Sequence, residues 1–214
     1  MSHAILGIDA VSEVCSVGLY TSAQELNVYT SESHSSNRSV LELVERVLDE
    51  DRILDVIVVI SGPGTYSGLR IGISSTYGLA LGLNCPTAAV TTFEAITEVV
   101  RGKFERAILV HPLGRKNFAV QKLKDQQLEG TVEIVRSEAL YKFQDEGHLL
   151  VGEGCSVFGG YAVDAKDRLR AVLQNFDVSR ASHTDVEAWY LTEPKITSPK
   201  IPFPTGAQRP LAPR

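Results

Sequence analysis

The residues whose types and spacing could do chemistry gather first in "SGPGTYSGLRIG", residues 61–72. Gly62, Pro63, Gly64, Thr65, Tyr66, Ser67 and Gly68 follow the apolar run "DVIVVI" and lead into a segment with helical spacing. A glycine-rich turn between a strand and a helix presents backbone N–H groups that attract anions, so phosphate is the chemistry to test. The spacing argues against it. A P-loop needs lysine and then serine or threonine directly after its last glycine, and here Leu69 and Arg70 follow Gly68. A dinucleotide fingerprint needs GxGxxG, and this turn reads GxGxxxG. Backbone shape accounts for more of its residues: Pro63 fixes one φ, and the glycines permit close approach or positive φ. Arg70 falls in the first helical turn, where the dipole disfavours a cation. It reads either as a solvated side chain or as a charge held for a carboxylate or phosphate.

The other candidate groups are scattered. Asp9 ends the first apolar run, where nucleotide-binding acids often sit, but no neighbouring glycine pair or lysine supports a phosphate site. With Ser12 and Ser16 it reads as a turn aspartate. The histidines are His3, His34, His111, His148 and His183, and no two stand at i and i+4, so the HxxxH metal geometry is missing. His111 precedes Pro112 and reads as structural. Cys15, Cys85 and Cys155 are odd in number and form no CxxC pair, which argues for reduced, mostly buried thiols rather than a disulfide framework or zinc site. There is no GxSxG elbow. The expectation is no catalytic residue, no metal and no cofactor.

The elements that must position these residues follow from periodicity. "AILGIDA", "VCSVGLY" and "ELNVYTSE" read as three strands joined by short turns. From Ser39 to Asp49 apolar residues recur at three- and four-residue intervals, which predicts an amphipathic helix. "DVIVVI" is a buried strand, residues 69–83 a glycine-rich helix, "PTAAVT" a strand, and "TTFEAITEVVRG" a helix opened by a threonine cap. Gly68 and Gly72 stand four apart, as do Gly78 and Gly82; each costs a helix up to about 1 kcal/mol. The spacing predicts grooves for a tight helix contact, within this chain or with another.

Beyond residue 103, "RAILVHPL", "NFAVQKLK", "TVEIVRS" and "HLLVGEG" are strand-like, "KDQQLEG" is a turn, and "YAVDAKDRLRAVLQNF" has helical spacing. The expected domains are residues 1–100, a second lobe at 101–193, and a proline-rich extended tail from Pro194 to Arg214. The chain of 214 residues carries a net charge of −5, which leaves no basic excess to wrap nucleic acid unaided. An RNA contact would run through a partner or a local patch. No run approaches a membrane span, and the start lacks a secretion signal, so a soluble cytoplasmic protein is expected.

The ordered series "ILGIDAVSEVCSVGLY", "HSSNRSV", "GPGTYSGLRIG", "GLALGL" and "TTFEAI" resembles the TsaB family, also called YeaZ, densely over residues 4–98. The family's signature turn reads "GPGSFTGLRIG". Further on, "VGEG" at 151–154 matches a family glycine turn, whereas "HPLGRKNF" stands where the family usually has a "DARMGEVY"-like stretch. The resemblance implies an α/β fold like that of actin, sugar kinases and Hsp70, with two lobes of mixed sheet and flanking helices. It implies a non-catalytic scaffold and activating partner of a TsaD-like subunit, which makes threonylcarbamoyladenosine on tRNA, with a TsaE-like ATPase completing the assembly. On that reading tRNA is met indirectly through the complex, and a homodimer is an alternative use of the same face. The contact it implies uses Arg38, Leu41, Val44, Glu45 and Leu48 of the first helix with Arg70, Gly72, Ile73, Tyr77 and Leu81 of the glycine-rich helix. The competing readings are a nucleotide-binding enzyme of the same fold, a glycoprotease-like peptidase, and a homodimeric structural protein.

Overall fold

The computed structural model describes residues 4–21, 25–31, 36–49, 52–114, 116–184 and 186–191, with only the backbone at 36–39. His3, His34, the side chain of Arg38 and the proline-rich tail lie outside the described residues.

The chain begins with strands β1 (Ala4–Asp9), β2 (Ser16–Thr21) and β3 (Leu26–Thr30) in an antiparallel meander. Helix α1 (Ser36–Val47), strand β4 (Val56–Ile60), helix α2 (Tyr66–Leu83), strand β5 (Thr87–Val90) and helix α3 (Thr92–Val100) follow. β4 and β5 add in parallel, so the sheet runs β3-β2-β1-β4-β5. "VIVVI" is buried throughout because helices cover both faces of that strand. This is the order read from the sequence, and Thr91 does cap α3, in a capping box with Glu94. α2 starts earlier than periodicity suggests, since the Thr65 hydroxyl accepts from the Gly68 N–H and fixes the first turn at Tyr66.

The second sheet is wound the same way. β6 (Arg106–Gly114), β7 (Asn117–Lys124) and β8 (Gln127–Arg136) form an antiparallel meander. Helix α4 (Ser137–Asp145) leads to β9 (Leu150–Gly152), which pairs parallel with β6, and β10 (Tyr161–Ala162) completes the order β10-β9-β6-β7-β8. Two expectations change here. The seven-residue turn "KDQQLEG" is a two-residue hairpin turn, because Asp125 and Gln126 both adopt positive φ and let pairing resume at Gln127. α4 was not foreseen; its inward face is short, with Leu140 buried and Phe143 packed beside it.

The last helix, α5 (Ala165–Asn175), departs from the expected boundary between lobes. It packs on the first sheet, not the second. Leu169, Val172 and Leu173 close over Ile5, Val28, Val56 and Val58. Gly7 and Gly18 face each other across β1 and β2, and a Cβ on them would come within 2.7 Å of Leu169 and 2.9 Å of Leu173. Those two glycines are what lets α5 lie flat on the sheet. The segment after it also returns to the first lobe, where Ser182 bridges Thr87 and the Trp189 N–H donates to Ser61. α1 and α2 cover the opposite face of the same sheet over Leu6, Ile8, Val17, Ile57 and Val59. Cys15, Cys85 and Cys155 are free, buried thiols; burial pushes Cys85 up to about 11 and Cys155 up to about 12. Among the described residues no helix is long and apolar enough to cross a membrane.

Candidate functional site

The glycine turn spends its backbone groups inside the protein. The Thr65 N–H donates to the Val11 carbonyl at 2.8 Å, and the Thr92 N–H and hydroxyl donate to the carbonyls of Gly62 and Pro63. A Cβ on Gly64 would lie 2.5 Å from Val11, and one on Gly68 would lie 1.9 Å from the Ala10 carbonyl oxygen. The turn thus clamps residues 10–12, the loop that leaves β1. The described contacts of the turn are therefore internal ones, unlike the outward-facing amides of a P-loop cradle.

That loop leads to a buried charge cluster spanning both sheets. Asp9 at the end of β1 is fully buried, so the reading of it as a simple turn aspartate is incomplete. Its Oδ1 does accept from the Val11 N–H, in the local turn, but its Oδ2 accepts from Arg168 Nε at 2.9 Å. Arg168, on α5, is also fully buried. Its Nη1 donates to Glu153, just after β9, at 2.9 Å, and its Nη2 donates to the Ser12 hydroxyl at 2.8 Å. Ser12 in turn donates to Glu153 at 2.5 Å. One guanidinium therefore holds two carboxylates and a hydroxyl in a fork geometry that only arginine supplies.

The titrations follow from these contacts. Burial raises the Asp9 carboxyl above its ordinary value, although Arg168 and the Val11 N–H pull the other way. Burial alone would raise Glu153 too, but Arg168, His111 and Ser12 together hold it below the usual carboxylate range. Burial disfavours the Arg168 cation, and its two carboxylates more than compensate. His111, on β6, is fully buried beside Glu153, its Nδ1 3.9 Å from the carboxylate. Burial, with the Arg168 charge, pushes it down to about 3, so it is neutral at pH 7. Neither ring nitrogen has a hydrogen-bond partner among the described residues.

Arg168 and Glu153 went unnoticed in the sequence, where 159 residues separate Asp9 from Arg168. One local signal was present. In "AKDRLRAVLQN" Arg168 stands on the stripe formed by Ala165, Leu169, Val172 and Leu173, an inward position for a charge. Among the described residues no cluster of three His, Cys, Asp or Glu could hold a metal ion.

The profile of the family described as "TsaD: tRNA N6-adenosine threonylcarbamoyltransferase" matches residues 17–185, well over half the chain. The chain belongs to this family, within its TsaB (YeaZ) branch. It is 24% identical over 168 residues to the tRNA threonylcarbamoyladenosine biosynthesis protein TsaB of Buchnera aphidicola subsp. Schizaphis graminum, covering 72% of this chain and 80% of that one. The TsaB of Escherichia coli K12 is 29% identical over 98 residues, 44% of this chain and 42% of the relative. The TsaB of Buchnera aphidicola subsp. Baizongia pistaciae is 28% identical over 90 residues, 40% of this chain and 41% of the relative. The chain is thus matched over less than half the length of these last two relatives. YeaZ from Pseudomonas aeruginosa superposes with a TM-score of 0.61 at 21% identity, covering 80% of this chain and 91% of that one. A protein with similarity to peptidase YEAZ, also from Pseudomonas aeruginosa, superposes with a TM-score of 0.67 at 22% identity, covering 89% and 100%. The fold is the two-lobed actin-like fold expected from the resemblance.

The residues that the TsaB resemblance assigns to a partner contact divide by depth. Val44 and Ile73 are buried in the chain's own core, and Gly72 faces Ala10 at 3.4 Å, so these three are withdrawn from any docking face. The reason is that the inner stripes of α1 and α2 already close over the first sheet. Tyr77 is half-buried and its hydroxyl donates to the Val186 carbonyl, while Leu48 packs on the same core. Leu41 and Leu81 are 49% and 86% exposed, and Glu45 is exposed beside Leu41. Arg70 is exposed with its guanidinium 5.5 Å above the Tyr66 ring, and that ring stacks on Tyr190 at 5.2 Å. Within the chain its partner is an aromatic face. Gly78 and Gly82 have nothing within 4 Å of a built Cβ, and both are exposed.

Proposed function

We propose that this chain is a non-catalytic scaffold and activating subunit of a cytoplasmic complex that makes threonylcarbamoyladenosine on tRNA. It docks a TsaD-like catalytic subunit on the outer faces of α1 and α2, with a TsaE-like ATPase joining the assembly and tRNA reached through the complex. The observation that carries this is the contrast between a filled interior and a bare helix. The junction of the lobes is occupied by the chain's own Asp9, Arg168, Glu153 and Ser12, while Leu81, Gly78 and Gly82 stand open on α2. An exposed large apolar side chain flanked by glycines suits close helix packing against another protein. The names of the TsaB relatives supply the pathway. Ser12 gives the peptidase reading no activated nucleophile, since its hydroxyl is held by Glu153 and Arg168 and not by a histidine base.

The test is co-purification with the host's TsaD-like protein and an assay of tRNA modification by the reconstituted mixture. Leu81→Glu and Gly78→Leu each leave the fold intact, because both sites face open space, and each abolishes the complex and its activity. A complex indifferent to both changes, or micromolar ATP binding by the isolated chain, overturns the reading. A self-associating chain that ignores the TsaD-like protein would assign the same face to a homodimer instead.

A further inference from the structure

The outer face of the second sheet carries a feature the docking face does not explain. Arg106 on β6 and Lys124 on β7 stand directly opposite each other in the antiparallel ladder, and Lys122 lies two residues on, on the same side. Like charges placed directly across a ladder are destabilising, and their mutual repulsion would be relieved by acids on the neighbouring strand. β8 supplies one. Glu129 stands opposite Lys122, and its carboxylate reaches Lys124 at 3.5 Å. Among the described residues neither Arg106 nor Lys122 forms an ion pair within 4.0 Å. The three cations line a groove of about 250 Å³, floored by Ile108 and rimmed by His148, in which Glu129 is the carboxylate. On the same face α4 covers Ile108, Val110 and Val120 with Leu140 and Phe143, and the exposed strip beside them is basic.

A cationic groove is unexpected on a chain whose net charge is −5. It lies on the second sheet, whereas α1 and α2 lie on the first, so the two surfaces share no residue. We infer that the groove of Arg106, Lys122 and Lys124 binds the phosphodiester backbone of an RNA, giving this chain a direct contact with the tRNA on which its complex acts. The spacing suits a backbone rather than a base. Arginine forks onto a phosphate, two lysines give point charges, and no Phe, Tyr or Trp lines the groove, whose one ring, His148, already packs edge-on against Phe143. The contact is therefore indifferent to sequence and strongly dependent on salt.

This inference rests on the reading of the chain as part of a tRNA-modifying complex, and the experiment separates the two. Full-length chain, assembled with its TsaD-like partner, is titrated with a fluorescent tRNA transcript at several salt concentrations. The triple variant Arg106→Gln, Lys122→Gln, Lys124→Gln is expected to bind about tenfold more weakly near physiological salt, with the slope of log affinity against log salt reduced by about 2 to 3. Glu129→Gln, which removes the groove's carboxylate, is expected to tighten binding about twofold. An intact complex whose tRNA affinity and salt slope ignore both variants overturns the groove and leaves the scaffold reading standing. Loss of binding to phosphatidylserine vesicles with unchanged tRNA affinity overturns RNA as the occupant. Failure of the unsubstituted chain to assemble with the TsaD-like protein ends the scaffold reading, and a groove that still binds the transcript under those conditions supports the inference by itself.

Discussion

The two halves of α2 carry the same glycine spacing and put it to opposite uses. In the first half, Gly68 leaves no room for a Cβ against the Ala10 carbonyl, and Gly72 rests on Ala10 and Val59. In the second half, Gly78 and Gly82 touch nothing. The difference lies in what the opposite side of the helix meets. The first turns are pinned to the loop after β1, which the Asp9–Arg168 cluster holds in place, while in the last turns Thr76, Leu79 and Ala80 take the inner side and Gly78 and Gly82 are turned outward. A four-residue repeat of glycine identifies a flat strip on a helix; it does not say which neighbour the strip is for.

Substitutions can break that comparison at either end. The largest effect is expected from Arg168→Met, which leaves Asp9 and Glu153 without their cation; loss of one partner of a buried ionic cluster costs about 3–5 kcal/mol in a urea unfolding series. A variant as stable as the parent would show that the loop under α2 needs no such anchor. Next comes Gly68→Ala, expected to cost about 3 kcal/mol because its Cβ would meet a backbone oxygen that cannot swing away. Loss below about 1 kcal/mol would mean the first half of α2 is as free as the second.

The cluster also predicts a pH dependence. The unfolded chain takes up a proton at His111 near the ordinary histidine value of 6.5, whereas the folded protein does so only at about 3. The unfolded state therefore binds more protons between those values, and stability falls as pH drops through 6.5, by about 2 kcal/mol from pH 7 to pH 5. His111→Leu should flatten the slope between pH 7 and pH 5.5, while Asp9, raised by burial, and Glu153, held low by Arg168, keep their own contributions in parent and variant alike. Equal urea midpoints for parent and variant at pH 5 relative to pH 7 would place the ring in water. The smallest effect belongs to the open half: Gly78→Ala should gain about 0.5–1 kcal/mol from helix propensity alone. A loss there would reveal a neighbour within the chain.

Much of the first lobe was legible because its cues are local. Alternation and β-branched runs give β1 to β5, and Thr91 stands where a cap must, whereas the Thr65 cap of α2 was hidden inside the glycine turn. The charge cluster was not legible, because Asp9, Glu153 and Arg168 meet only through the packing of α5 across Gly7 and Gly18. Spacing along the chain could not assign α5 to the first sheet. It could have flagged Arg168, since a charge on an apolar stripe must find a countercharge inside. Depth on α1 and α2 was equally hidden: Val44 and Leu41 share one amphipathic segment, yet one is core and the other surface.

The matched winding of the two sheets has a further consequence. Where the first sheet's parallel strands β4 and β5 are joined through the 18 residues of α2, the corresponding β9 and β10 are joined through a four-residue 3-10 turn at Cys155–Phe158. The molecule is a doubled plan with one arm trimmed away. Among the described residues α2 is the longest helix, and the short β9–β10 connection gives the second sheet no counterpart to it.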